Sequence, residues 1–139
     1  MADFNVALVK ILKHEGGYVN DPNDKGGETY KGISRRAHPK SSLWTLIDNY
    51  KKEYGTGSTF KQKISRDKDI TNVVHLIYKT NYWNVFDLDS ISNQKLAEQI
   101  FDDAVNRGCG AACKLLCSLF KLPISSKPTS KLLEILKTY

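Results

Sequence analysis

Long apolar runs are absent from this chain of 139 residues, and no stretch approaches the ~20 apolar residues that cross a bilayer. Stable membrane insertion is therefore not expected. The opening residues, MADFNVALVKILKHEGG, carry an acid at Asp3 and charges throughout. They have neither the basic start nor the uninterrupted apolar core of a signal peptide. Synthesis in the cytoplasm without a recognisable leader is the expectation. Cysteine is scarce too: Cys109, Cys113 and Cys117 are the only three, four residues apart. On a helix they share one face, and an odd set on neighbouring turns is a poor disulfide framework. Paired Cys-x-x-Cys spacing is missing, which argues against a structural zinc site. Small buried thiols in a helix interface, in a protein folded under reducing conditions, fit better.

Acidic residues are outnumbered, 15 against 21 Lys+Arg, giving a formal charge of +6. Such a balance favours polyanions, whether nucleic acid, acidic lipid or the bacterial wall, and does not choose among them. A nucleic-acid partner is not expected, because the lysines are scattered and no recognised DNA-binding motif stands out. His14, His38 and His75 have no shared spacing and read as structural or exposed, so no metal is expected. What is present is ordinary: 40% hydrophobic and 26% charged residues, enough for one domain over 1–139 with its own core. A monomer is expected.

The apolar spacing predicts a mainly helical domain. Asp3 is placed to cap a first helix in which Phe4, Ala7, Leu8, Ile11 and Leu12 form a buried stripe, and Gly16–Gly17 stop it. GYVNDPNDKGGETYKGIS follows, dense in turn-forming residues; Tyr18–Val19 and Thr29–Ile33 are predicted to pair as a small β-hairpin. Leu43, Trp44, Leu46, Ile47 and Tyr50 suggest a short helix, and Lys51–Lys63 reads as an exposed loop. Val73, Val74, Ile77, Tyr78 and Tyr82 predict a helix from Ile70 to near Trp83. Another runs from Asn93 through Leu96, Ile100, Phe101, Ala104 and Val105. After Gly108 and Gly110 a strongly apolar helix covers Ala111–Phe120, and a last one Ser130–Leu136.

Glu15 is the residue that spacing marks out. It lies four, seven and eleven positions after Ile11, Leu8 and Phe4, on the apolar stripe and at the helix end. A carboxyl group held against apolar neighbours favours its neutral form, which is what protonating a glycosidic oxygen near neutral pH requires. The plain alternative is a helix-end glutamate that bends to solvent or pairs with Lys13 or His14. A carboxylate at a helix C-terminus faces the negative end of the dipole, a placement that asks for a reason. Asp21, Asp24 and Thr29 downstream offer one, since glycosidases need a second polar group to orient water or to stabilise an oxocarbenium-like transition state. Asn20, Asp21 and Asp24 are equally good turn formers, and both readings stay open. Tyr18 and Tyr30, beside Glu15 in the polar segment, are candidate sugar-stacking residues; Tyr78, Tyr82 and Trp83, at helical spacing, read as core.

The run HEGGYVNDPNDKGGETYKGIS, His14 to Ser34, resembles the signature of glycoside hydrolase family 108, bacterial and phage N-acetylmuramidases that cut peptidoglycan. YKTNYW (Tyr78–Trp83) and FDDAVNRG (Phe101–Gly108) resemble two later segments of that family, the second through Asp102 and Asn106. The resemblance implies a lysozyme-like helical fold with a turn-rich segment after the first helix. It implies Glu15 as catalytic acid, and cleavage of the β-1,4 bond between N-acetylmuramic acid and N-acetylglucosamine. The order Glu15, Asp24, Thr29 is also similar to phage lysozymes of glycoside hydrolase family 24, with Thr29 one residue short of their spacing. It suggests Asp24 as partner carboxylate and Thr29 as a residue that positions water. Tyr18, Asn20, Asp21, Gly27, Tyr30 and Asn106 are then the substrate-binding candidates. Peptidoglycan strands are the implied partner, no metal or organic cofactor is implied, and the wall would be reached through a holin-type or dedicated export route. Two departures stand out: Ser41–Asp67 is longer than the family usually carries, as an inserted loop flanking the cleft would be. Residues 109–139 resemble an abbreviated peptidoglycan-binding region. A lytic transglycosylase using the same glutamate, or a non-catalytic wall-binding module, are the alternatives.

Overall fold

The computed structural model describes all 139 residues. Seven α-helices and a small three-stranded sheet make it a mainly α, lysozyme-like fold, as the sequence predicts. The chain divides into two compact units, Lys10–Leu76 and a second made of Met1–Val9 with Ile77–Tyr139. One boundary falls inside the first helix, α1 (Phe4–His14), and the other inside the helix Lys68–Tyr78.

In the Lys10–Leu76 unit, the end of α1 leads into β1 (Tyr18–Asn20), β2 (Glu28–Tyr30) and β3 (Ile33–Ser34), an antiparallel sheet in that order. Tyr18 faces Tyr30, Val19 faces Thr29 and Asn20 faces Glu28 across the first pair; Thr29 faces Ser34 across the second. The predicted strand Thr29–Ile33 is thus two strands. Lys31 (φ 47°) and Gly32 (φ 81°) both take the left-handed conformation, which is the signature of a two-residue hairpin turn.

Helices α2 (Ser42–Tyr54), α3 (Ser58–Arg66) and α4 (Lys68–Tyr78) follow. The loop expected over Lys51–Lys63 does not exist. α2 is capped by the Ser41 hydroxyl, which accepts from the Leu43 N–H at 3.2 Å, and it continues to Gly55. Phe60 and Ile64, four apart, bury one face of α3 and let a run of Lys, Ser and Thr wind as a helix with those residues toward water. The break is confined to the turn Gly55-Thr56-Gly57. Ile11, Tyr30, Ile33, Leu43, Trp44, Ile47, Phe60, Ile64, Ile70 and Val74 form the core of this unit.

In the second unit, α1 is capped as expected: Asp3 Oδ1 accepts from the N–H groups of Asn5 and Val6 at 2.9 and 3.2 Å. Phe4, Trp83 and Phe101 contact one another edge-on or tilted, with centroids 5.2–5.8 Å apart, and Tyr78 meets Phe101 at 6.3 Å. Tyr78 and Trp83 are therefore core. The helix read as running to Trp83 ends at Tyr78 and loosens into a π turn over Lys79–Trp83. α5 (Gln94–Arg107), capped by Asn93, packs on α6 (Cys109–Leu119). Ala97, Ala104, Ala112, Cys113 and Cys117 are buried among them, small side chains that let helix axes approach. All three cysteines are free thiols; Cys113 and Cys117 are buried and Cys109 is partly exposed. α7 (Ser130–Thr138) closes the chain, capped by Thr129.

Candidate active site

Glu15 sits just past the last turn of α1, its N–H donating to the Ile11 carbonyl at 3.2 Å. Gly16 and Gly17 end the helix, and the Gly17 carbonyl accepts from the Lys31 N–H at 3.3 Å, tying the segment after Glu15 to the end of β2. The Glu15 side chain is half-buried. Neither hydrogen bond nor ion pair engages its carboxylate, so neither Lys13 nor His14 neutralises it.

Asp21 and Asp24 are exposed and both fold the turn before β2. Asp21 Oδ1 accepts from the Asn23 N–H at 2.9 Å, and Asp24 Oδ1 from the Gly26 N–H at 3.4 Å. The Asp24 carbonyl accepts from the Gly27 N–H at 3.0 Å. Gly27 is buried at φ 62°, with the Arg36 guanidinium only 3.1 Å from where a Cβ would lie. Only glycine suits that combination of left-handed backbone and close approach. Thr29 lies at the middle of β2, half-buried, with its hydroxyl unengaged. Alternation along the strand puts it on the opposite face from Glu28 and Tyr30. Glu15, Asp24 and Thr29 all belong to the Lys10–Leu76 unit; Asn106 is exposed near the end of α5, in the other.

The two tyrosines expected to stack on sugar do not offer their faces. Tyr30 is 3% and Tyr18 8% exposed. Burial pushes the Tyr30 phenol above its ordinary pKa. The Tyr18 ring packs edge-on against Phe60 at 5.0 Å. Its hydroxyl donates to Glu28 Oε2 at 2.5 Å. Tyr18 and Tyr30 pair across β1 and β2, and alternation turns both rings to the core side of the sheet while Val19 takes the exposed side.

Glu28 is the residue that sequence reasoning missed. Its carboxylate, 10% exposed, receives Tyr18, the Lys51 ammonium, and Arg35 Nη1 at 2.9 Å. Arg35 then makes two bonds of 2.8 and 2.9 Å to Asp48 on α2. Burial pushes the Glu28 carboxyl up, but bonds from Lys51, Tyr18 and Arg35 outweigh it and hold the group below the ordinary carboxylate range. The Arg35 guanidinium does the same for Asp48. Lys51 is drawn down by burial and more strongly up by Glu28 and Tyr18. Period-two alternation through Glu28-Thr29-Tyr30 could have flagged an inward carboxylate. Its partner Lys51, however, lay in the supposed loop.

Beside this network is an open depression of about 440 Å³ lined by Tyr18, Val19, Asn20, Thr56 and Lys61.

Seven helices with a small sheet directly after the first give a helical, lysozyme-like fold. The glycosyl hydrolase 108 profile matches residues 8–108, and the chain belongs to that family. It is accordingly a glycoside hydrolase of the peptidoglycan-cleaving kind. Among solved structures, SagA of Brucella abortus superposes with a TM-score of 0.66 at 24% identity, over 98% of this chain and 69% of that one; the likeness is one of fold. No curated protein matches the chain. No helix is long and apolar enough to cross a membrane.

Proposed function

We propose that the chain is an N-acetylmuramidase that hydrolyses the β-1,4 bond between N-acetylmuramic acid and N-acetylglucosamine, with Glu15 as general acid. The observation that carries this reading is the state of Glu15: half-buried at the end of an apolar stripe, with no cation or donor committed to its carboxylate. The Glu28 carboxylate, by contrast, is committed to Tyr18, Lys51 and Arg35. An unpaired one can take up a proton and deliver it to the leaving oxygen. Asp24, whose second carboxylate oxygen makes no bond, and Thr29, with a free hydroxyl, are assigned to orienting the attacking water or shielding developing positive charge. We take the whole chain, Cys109–Tyr139 included, as one catalytic domain acting on the wall as a monomer, reached by a holin-type or dedicated export route.

A second reading has an observation in its favour. Asp24 is exposed and serves its turn, as it would if Glu15 worked alone as acid and base in a lytic transglycosylase. Mass spectrometry of fragments from purified sacculi decides between them. Reducing N-acetylmuramic acid ends support the hydrolase, and 1,6-anhydro ends mean the transglycosylase. Binding without any soluble fragment would mean a wall-binding module.

A further inference from the structure

The depression between β1 and the α2–α3 turn is lined by three polar side chains that have no partner within the protein: the Asn20 amide, the Thr56 hydroxyl and the Lys61 ammonium. The contrast with its surroundings is sharp. Lys51 is spent on Glu28 and Asp48, and Arg35 on Glu28 and Asp48. Lys61, exposed on α3, makes no ion pair, whereas Lys51 and Arg35 do. At its base the Tyr18 ring packs on Phe60 and its hydroxyl is bonded to Glu28, with the Lys51 ammonium 5.5 Å from the ring centroid. A depression with a packed tyrosine, one unpaired ammonium and two neutral groups able to donate hydrogen bonds suits a carboxylate.

The strand that forms one wall begins three residues after Glu15, and the other wall is built by the segment Ser41–Asp67. We propose that this depression is a subsite for the carboxylates of peptidoglycan stem peptides, with Lys61 as the charge that binds them. Asn20 and Thr56 hydrogen-bond the same group, and the α2–α3 hairpin is the element that supplies the site. The chain then prefers glycan bearing acidic peptides over glycan whose carboxylates are masked. This deepens the proposed function and rests on peptidoglycan being the substrate.

The test is a pelleting assay at 4 °C with insoluble sacculi freed of secondary polymers, using the Glu15→Gln form of the full chain. The sacculi are used untreated, or with their carboxylates amidated by carbodiimide and ammonium. Lys61→Ala should weaken binding to untreated sacculi roughly three- to fivefold, the range for one exposed ion pair, and leave binding to amidated sacculi unchanged. Lys61→Arg should restore it. Lys52→Ala, which removes the same charge from an exposed position on α2, should leave both affinities as they were. Equal losses for Lys61→Ala and Lys52→Ala would reduce the effect to general charge and overturn the site; so would a Lys61→Ala loss that persists on amidated sacculi. Failure of the Glu15 assignment appears elsewhere, as lysis retained by Glu15→Gln.

Discussion

Replacing Glu28 by glutamine removes one charge from the centre of the Tyr18–Glu28–Lys51–Arg35–Asp48 network while keeping the side chain's size. Breaking a fully buried ion pair by deleting one partner costs about 3–5 kcal/mol, and an exposed pair is worth about 0–1 kcal/mol. Glu28 is 10% and Lys51 22% exposed. Arg35, 37% exposed, keeps both bonds to Asp48 after the change. The loss therefore lies between those limits, at about 2 kcal/mol: glutamine's single carbonyl oxygen cannot accept from Tyr18, Lys51 and Arg35 together, its N–H groups face one of those donors, and Lys51 keeps only its 3.4 Å contact with Asp48. For a domain of this size that lowers Tm by roughly 6–8 °C. Glu28 and Asp48 both titrate below the ordinary range when folded. The unfolded chain thus binds their protons more readily. Their contribution is present above the ordinary carboxylate pKa of about 4 and is lost as pH falls through the depressed folded values. Thermal scans from pH 7 to pH 3 should show a steep fall in wild-type Tm below about pH 4 and a shallower one in Glu28→Gln. A Glu28→Gln Tm within about 1 °C of wild type at pH 7 would refute the account of the network.

Two further predictions concern backbone strain and thiol access. Gly27→Ala puts a Cβ on a left-handed residue and 3.1 Å from Arg36 Nε, costing about 1–2 kcal/mol. Gly16→Ala meets nothing within 4 Å at an unstrained position, and urea melts should separate the two. Native protein should show one thiol reactive to an aromatic disulfide reagent, Cys109, and three in denaturant. Cys113 and Cys117 are buried, and burial pushes the Cys113 thiol up to about 11. Three reactive thiols without denaturant would contradict the packing of α6.

What the sequence carried and what it hid follow from the range of the interactions involved. The α1 stripe, the Asp3 cap, the Asn93 start of α5 and the buried Cys113–Cys117 face were legible because each depends on neighbours within four residues. Gly32 hid a turn in plain sight, since a Lys-Gly pair is a weaker turn signal than Asn-Gly. α3 was lost because only Phe60 and Ile64 mark its buried face; polar residues fill the rest, and composition outweighed spacing. Tyr18 and Tyr30 were placed correctly along the chain and wrongly in depth, because a strand of three residues gives no alternation long enough to say which face is inside. Glu28 was invisible for a different reason. Its meaning depends on Lys51, twenty-three positions away, which only the fold brings to it.

The central claim is that Glu15 delivers the proton. Its most direct measurement is the rate at which Glu15→Gln solubilises purified sacculi at neutral pH, beside its thermal midpoint. Nothing in the fold holds the Glu15 carboxylate, so the midpoint should stay within about 1 °C of wild type while the rate falls by about 10²–10⁴-fold, the usual worth of a positioned general acid. A folded Glu15→Gln protein that clears sacculi at the wild-type rate would contradict the claim outright.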